Sequence, residues 1–253
     1  MVYEITPSLV PAGTGIRCKK SYPRLIPEGM CWHWTANLKA TANAINHFKL
    51  WHRVDTGAQY VVDDKNILQC ALDTEVVWHA GPGSSYTPEI KKKYPRGPNV
   101  SLLGVELCVN SDGNWDETYK RAVYLGAYKC LQYGWSPYND FVRHYDCTKK
   151  DCPRMMSPYV TGGDATWKRF LDDVNNQMTI LKKGDAIMAE LAQWQKDLAN
   201  TAIDYLAQKG TLDSPENWKK KMAEATPNWL FYEMLKRLSL RIDKLEQTAG
   251  KQN

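Results

Sequence analysis

The sequence predicts an α/β protein in which a mixed central β-sheet is flanked by helices and is followed by a small all-α bundle. Two observations support this prediction. Between about residues 25 and 155, short runs rich in aromatic and β-branched residues alternate with segments of helical periodicity. After Pro158 the composition changes, and apolar residues recur mainly at helical spacing. Such alternation is typical of a sheet covered by helices.

The elements of the first part follow from these patterns. Four runs are predicted as strands: Met30–Thr35, Gln59–Asp63, Gly104–Val109 and Asp140–His144. Two helices are predicted, one carrying Ile45, Phe48 and Trp51, the other carrying Tyr124, Ala127 and Leu131 and ending at Gly134. Segment Gly81–Asn99 is predicted to be a loop, either one lip of a groove or a solvated basic segment.

The chain divides into a first domain over 1–160, a linker over 161–184 and a helical C-terminal domain over 185–253. Turn-like sequences bracket the linker: Thr161-Gly162-Gly163-Asp164 and Lys182-Lys183-Gly184-Asp185. A short helical stretch, Trp167–Ile180, lies between them. Beyond the linker, three helices are predicted: one from Ile187 to Gly210, one starting at Ser214-Pro215 and one starting at Thr226-Pro227, with Leu235 to Leu245 on its apolar face.

Composition excludes several classes of protein. The seven cysteines are odd in number and several lie in apolar runs, which argues against a disulfide framework and for a reducing cytosol. Residues 1–7 lack the basic and apolar regions of a signal peptide, and no apolar run approaches the ~18 residues of a membrane span. The net charge of +5 suits a polyanionic surface, but we expect no nucleic-acid partner and no membrane insertion.

The most informative segment runs from His144 to Cys152. It places an imidazole and two thiols within nine residues, and with His33 far upstream it indicates a Zn²⁺ ion held by His33, His144 and Cys152. Three protein ligands leave a fourth position open, as in catalytic zinc sites. Cys147 is the rival thiol, and a structural zinc site with Cys147 as a fourth ligand is the alternative.

Other polar residues accompany this segment. Glu106 lies in an otherwise apolar strand, where a carboxylate costs several kcal/mol unless it is paired or protonated, so it is either a site residue or half of an inter-strand salt bridge. Lys150 points to a substrate carbonyl or to solvent, and His79 contacts substrate or caps a turn. The five-residue spacing of His47 and His52 does not align them on one helix face, which favours surface positions.

Five motifs occur in an order that resembles one enzyme family. They are His33-Trp34-Thr35, Gln59-Tyr60-Val61-Val62, Trp78-His79-Ala80-Gly81, Gly104-Val105-Glu106-Leu107 and His144 followed by Lys150-Asp151-Cys152-Pro153. Over roughly 25–158 the chain resembles the zinc-dependent type-2 N-acetylmuramoyl-L-alanine amidases, a family that includes phage endolysins, bacterial autolysins and peptidoglycan recognition proteins.

The resemblance implies roles for individual residues. It implies that His33, His144 and Cys152 bind zinc, that Glu106 is the general base and that Lys150 supports the oxyanion. His79, Trp34 and Tyr60 are expected at the substrate. The lysozyme-like members carry a catalytic tyrosine where this chain has Ala58, two residues before Tyr60, and this departure gives Glu106 greater importance.

The expected function is hydrolysis of the amide between N-acetylmuramic acid and L-alanine in bacterial peptidoglycan. A phage endolysin is expected, present in the host cytoplasm and reaching the wall through a membrane pore. The alternatives are a bacterial autolysin and a non-catalytic peptidoglycan-binding module. The C-terminal helices are expected to bind the wall, with Trp194, Trp218 and Trp229 stacking on sugars or filling a small core, or to form a homodimer.

Overall fold

The computed structural model describes residues 3–18, 25–208, 214–217 and 219. The strands in these residues form one mixed sheet: β1 (Thr6–Pro7), β2 (Gly29–Trp34), β3 (Tyr60–Val62), β4 (Ile67–Gln69), β5 (Leu102–Leu107) and β6 (Phe141–Arg143). The α-helices are α1 (Ala44–Trp51), α2 (Pro88–Lys93), α3 (Pro98–Ser101), α4 (Trp115–Tyr133), α5 (Pro137–Asp140), α6 (His144–Thr148) and α7 (Gly163–Gln208). Short 3-10 helices occupy Gly15–Arg17, Gly83–Ser85 and Arg154–Met156. The predicted α/β class is confirmed.

The strand order in the sheet is β1-β4-β3-β5-β2-β6. The three strands β5, β2 and β6 are neighbours and run parallel, and β3 is parallel to β5. Only β4 pairs in the antiparallel sense with β3, and β1 adds to the outer edge of β4. Strands β2 and β5 are buried along almost their whole length, as expected for parallel strands that are covered on both faces.

Successive side chains of a strand point to opposite faces of the sheet, and this alternation separates the core from the site. One face carries Trp32 of β2 and Val105 of β5, which pack in a core with Leu125 of α4. The other face carries His33 and Glu106, the residues that follow them in each strand. Because Trp32 and Val105 lie on the core face, the alternation of side chains places His33 and Glu106 on the opposite face.

Local signals account for the helix ends. The Asn114 side chain accepts a hydrogen bond from the Glu117 N–H at the start of α4, and Gly134, with φ of 73°, ends the helix as predicted. Segment Gly81–Asn99 was predicted as a loop, but it contains α2 and the first half of α3. Thr87 caps α2 and Pro88 occupies its first turn. The same pairing of a hydroxyl residue with proline predicted the helix starts at Ser214-Pro215 and Thr226-Pro227.

The predicted turn at the end of the 161–184 linker is not observed, although Thr161 and Gly162 do form a turn. Residues Lys182-Lys183-Gly184-Asp185 form no turn but lie inside α7, since one glycine costs a helix only about 1 kcal/mol and good helix formers flank it. The first turns of α7 also belong to the first unit, because Phe170 and Val174 are fully buried in its core. The chain divides into two compact units at Lys182 and Lys183, within α7.

The predicted C-terminal bundle is only partly covered by the described residues. Residues 185–208 are helical, as are 215–217 after Ser214. The predicted helix start at Thr226-Pro227, and the last predicted helix with Leu235 to Leu245, lie outside the described residues. Among the helices that the structure does describe, none combines the length and the apolar character that a membrane crossing requires.

A buried ionic network ties α4 to the segment after β4. The Asp73 carboxylate accepts hydrogen bonds from the Lys129 ammonium at 2.6 Å, from the Tyr133 hydroxyl at 2.7 Å and from the Tyr60 hydroxyl. The side chains of Lys129 and Asp73 are only 5% and 11% exposed. The charge of Asp73 is therefore balanced inside the protein rather than by water.

We expect Lys129→Met to lower the free energy of unfolding by about 3 kcal/mol, because it leaves the Asp73 carboxylate buried without its counter-ion. Urea denaturation followed by circular dichroism measures the loss. Lys120→Met is the matched control, since Lys120 forms an exposed pair with Glu117 on the same helix and should have little effect. Equal stabilities of the two variants would contradict this account of the network.

Candidate active site

The candidate site is built where three parallel strands end. In the sheet register His33 pairs with Glu106, and Trp32 pairs with Arg143, the last residue of β6. His144 follows directly and begins α6. The prediction of a strand through His144 was therefore one residue too long. Because neighbouring parallel strands end at one edge, these polar groups meet at the place where α/β sheets usually bind ligands.

Three potential metal ligands converge there. His33 Nδ1 lies 3.0 Å from His144 Nδ1 and 3.8 Å from Cys152 Sγ. All three side chains are buried, and one ligand atom from each lies within 4.8 Å of the others. The rival thiol, Cys147, lies instead 3.8 Å from the thiol of Cys31. The geometry thus groups Cys152, rather than Cys147, with the two histidines.

A tight loop brings Cys152 back to this cluster. Helix α6 ends at Lys149, whose φ of 64° reverses the chain direction. The Cys152 carbonyl then accepts a hydrogen bond of 2.8 Å from the Tyr145 N–H in the first turn of α6. The guanidinium of Arg143 fixes the base of the loop, with hydrogen bonds to Asp146 and to the Met156 carbonyl. His144 and Cys152 are therefore held by a loop with little freedom.

The electrostatics of the cluster suit a cation. Burial lowers the pKa of His33 well below its ordinary value, and burial with the nearby Lys150 charge lowers that of His144 to about 3. Both imidazoles are therefore neutral at pH 7 and can offer lone pairs. Burial raises the pKa of Cys152 to about 12, with Glu106 acting in the same direction and the Trp34 backbone opposing it. A bound divalent cation would stabilise the thiolate that burial disfavours, and the mixed nitrogen and sulfur donors favour Zn²⁺.

Glu106 lies beside the cluster in an open cleft of about 800 Å³. Its Oε2 atom is buried and has no hydrogen-bond partner in the protein. Burial raises the pKa of this carboxyl to about 8, while the charge of Lys150 opposes the shift. The inter-strand salt bridge that was the alternative for Glu106 is not observed among the described residues. A carboxyl that titrates near neutral pH can act as an acid or a base.

His79, Lys150 and His144 also line the cleft, as do several residues that the sequence analysis did not place at a site: His47, Trp51, Thr56, Arg96 and Asn99. The prediction that His47 is a surface residue was wrong, because it is half-buried and its Nε2 atom is enclosed without a partner. The sequence signal that indicates this position is the four-residue spacing of His47 and Trp51, which places both side chains on one face of α1.

Two predicted substrate contacts are not in the cleft. Tyr60 is fully buried in the core, and its hydroxyl donates to Asp73 on the opposite face of the sheet from the candidate site. The reason is the period of two in strands, since Tyr60 pairs with the core residue Val105, whereas Val61 pairs with Glu106. Trp34 shares the face of Trp32, and only its backbone reaches the cluster, near the Cys152 thiol.

Comparison with known proteins agrees with this geometry. Residues 23–155 match the family described as N-acetylmuramoyl-L-alanine amidase, which is more than half of the chain. The chain belongs to this family. A probable N-acetylmuramoyl-L-alanine amidase of Bacillus licheniformis is 34% identical over 161 residues, covering 60% of this chain and 43% of that protein. The amidase CwlL of the same species is 32% identical over 164 residues, covering 61% and 43%. The chain thus spans less than half the length of these two relatives.

Solved structures show the same fold. The catalytic domain of XlyA is 26% identical, with a TM-score of 0.55 that covers 68% of this chain and 99% of that domain. A mutant endolysin from Bacillus subtilis gives a TM-score of 0.56 at 24% identity, over 68% of this chain and 99% of that one. The family is zinc-dependent in general, and the cluster of His33, His144 and Cys152 in this amidase-family chain has a donor set that suits zinc.

The buried histidines predict how the stability of the metal-free protein depends on pH. In the unfolded chain His33, His79 and His144 bind protons below pH 6.5, whereas in the folded protein their pKa values are lowered, to about 4 for His79 and about 3 for His144. Glu106 acts oppositely, because its folded pKa of about 8 exceeds its ordinary 4.5. We therefore expect the free energy of unfolding to fall as pH decreases below 6.5, and also to fall as pH rises from about 6.5 towards 8.

Urea midpoints measured from pH 5 to 8 with a chelator present test this expectation. In Glu106→Gln the decline between pH 6.5 and 8 should be reduced while the acid limb remains. A midpoint that stays constant between pH 6.5 and 5 would show that the three histidines are not buried as neutral groups.

Proposed function

We propose that this chain hydrolyses the amide bond between the lactyl group of N-acetylmuramic acid and L-alanine in peptidoglycan. The observation that carries the proposal is the cluster of His33, His144 and Cys152 beside the Glu106 carboxyl, whose buried Oε2 atom has no hydrogen-bond partner, in an open cleft. Membership of the amidase family supports this reaction over other hydrolyses.

In the proposed mechanism His33, His144 and Cys152 hold a zinc ion. When bound in such a site, zinc acts as a Lewis acid towards a carbonyl oxygen and lowers the pKa of water. The three residues are already buried and adjacent, so little side-chain ordering accompanies metal binding. The cleft gives a substrate access to the edge of this cluster, because His144 is among its lining residues.

Glu106 is the proposed general base. It takes a proton from the attacking water and returns it to the nitrogen of the leaving amine, which requires a carboxyl with a pKa near the working pH. Its burial supplies this property, and the charge of Lys150 prevents a larger shift. Lys150, exposed at the cleft, is the proposed donor to the oxygen that becomes negative as the carbonyl is attacked.

Glu106→Gln should reduce kcat by at least ~100-fold, within the range for loss of a general base, because an amide cannot accept the proton. Zinc content should be unchanged, since Glu106 is not one of the three proposed ligands. Turnover is measured as new amino groups released from purified peptidoglycan, and zinc by elemental analysis of the same sample. A fully active variant would exclude Glu106 as the base.

Cys152→Ser should lose zinc and activity together, because a hydroxyl is a much weaker zinc ligand than a thiolate. Cys147→Ser is the matched control: this thiol is equally buried and lies only five residues away, but it faces Cys31 rather than the histidines. It should retain one zinc per chain. Loss of zinc in Cys147→Ser, with retention in Cys152→Ser, would reverse the assignment of the thiol ligand.

The products identify the bond that is cleaved. Digestion of purified walls should release L-alanine amino groups without new reducing sugar. Reducing sugar would indicate a glycosidase, and binding to walls without any product would indicate the non-catalytic recognition module that the sequence left open.

We also propose that the protein acts as a phage endolysin, which accumulates in the host cytoplasm and reaches the wall through a membrane pore. The residues after 182 are proposed to hold the enzyme on the wall. In this case Trp194→Ala with Trp218→Ala should reduce sedimentation of the protein with intact walls but leave hydrolysis of a soluble muramyl peptide unchanged. Equal loss of both properties, or a change in molar mass by light scattering, would favour a folding or dimerisation role for these helices.

A further inference from the structure

His79 makes a hydrogen bond at each ring nitrogen. Its Nε2 atom lies 3.2 Å from the Leu102 carbonyl oxygen, and its Nδ1 atom lies 3.0 Å from Nε2 of His33. A carbonyl oxygen only accepts, so His79 Nε2 must carry the hydrogen. In a neutral imidazole the other nitrogen then holds a lone pair, and His79 Nδ1 is an acceptor.

The same logic extends to His33. Because His79 Nδ1 accepts, His33 Nε2 must donate, which leaves the lone pair of neutral His33 on Nδ1. This is the atom that lies 3.0 Å from His144 Nδ1 and 3.8 Å from Cys152 Sγ. A ligating Nδ1 needs its lone pair, so the hydrogen of the His33 ring lies on Nε2, as this chain of hydrogen bonds requires.

We infer that His79 is a positioning residue, which fixes the tautomer and the ring orientation of His33 so that His33 Nδ1 presents its lone pair to the metal. The inference rests on the proposed metal site and deepens it. Partners that accept from the outer nitrogen of a ligating histidine commonly have this effect on metal ligands. Here the partner is another imidazole, anchored in turn on a strand carbonyl.

The surroundings of His79 hold it in place for this role. The Asn99 side-chain oxygen accepts from the backbone N–H groups of His79 and Ala80, at 3.0 and 2.8 Å. The ring lies flat against β5 at Gly104, where a β-carbon would approach His79 Cγ to 2.7 Å. A glycine at this position is therefore required for the ring to reach both Leu102 and His33.

Metal affinity of the purified full-length chain provides the first test. We expect His79→Leu to weaken zinc binding ~10- to 100-fold, as loss of such a partner usually does, in a competition titration with a chromophoric chelator. His79→Gln should remain within a few-fold of the unaltered chain, because its amide offers both an acceptor and a donor. His52→Leu, at an exposed histidine after α1, is the control for loss of an imidazole and should bind zinc normally.

The tautomer of His33 provides a second test that does not depend on metal or on activity. In the metal-free chain at pH 7.5, nitrogen-15 NMR should show His33 Nε2 protonated and Nδ1 unprotonated, and the same state in His79→Gln. Gly104→Ala, which displaces the His79 ring without removing it, should disturb this signal. His33 protonated at Nδ1 in the unaltered chain, or His79→Leu with unchanged zinc affinity, would overturn the inference.

The outcomes separate this inference from the proposed function. An unaltered chain that binds no zinc refutes the proposed metal site, and the NMR measurement then decides the inference by itself. A zinc-binding chain in which His79→Leu is indistinguishable from the unaltered protein retains the proposed function and removes the role of His79. If His79→Leu does not fold, the protonation state of His33, measured by nitrogen-15 NMR in the unaltered chain and in His79→Gln, decides.

Discussion

The parallel pairing of β2 with β5 and β6 is the constraint on which the site depends. It places His33 opposite Glu106 and brings the end of β6, with His144 after it, to the same edge. A shift of one residue in this register would turn His33 towards the core and Trp32 towards the cleft. The burial of Trp32 and its neighbours therefore stabilises the fold and selects the face on which the candidate site lies.

The site holds several titratable groups that are buried. Its histidines are kept neutral and its thiol protonated by burial, and the same burial holds Glu106 near the middle of the pH range. Each of these shifts disfavours charge. One cation beside the cluster would favour the ionised forms of Cys152 and Glu106, and the neutral histidines could offer it lone pairs. The protein thus places several buried lone pairs close together, an arrangement that suits a metal ion.

Much of the fold could be predicted because the strands β2, β5 and β6 carry strong apolar patterns beside recognisable motifs. Strands β1 and β4, of two and three residues, are too short to show a period. The error at Gly184 arose because local turn signals cannot reveal whether a helix continues through them. The candidate site could be predicted because its motifs occur in the order found in a known family. The face on which Tyr60 lies depended on the strand register. The burial of His47 depended on the packing of α1 against β3 and β4.

No sequence pattern could predict which groups donate and which accept in the hydrogen bonds that link Leu102, His79 and His33. They follow from two distances and from the fact that a carbonyl cannot donate. The motif Trp78-His79-Ala80-Gly81 indicated that a histidine lies near the site, yet it could not show whether that histidine touches substrate or a metal ligand. Only the arrangement of side chains in space makes this distinction.

The packing of the first turns of α7 on the core sets where this chain can be divided. The segment that matches the family ends at residue 155, but the indole of Trp32, next in sequence to His33, is covered by Phe170 with ring centroids 4.7 Å apart. A fragment cut at the family boundary would open this apolar surface to solvent directly behind His33, a proposed metal ligand. Excision of the first unit should therefore keep the chain at least through Val174, which is fully buried in the same core.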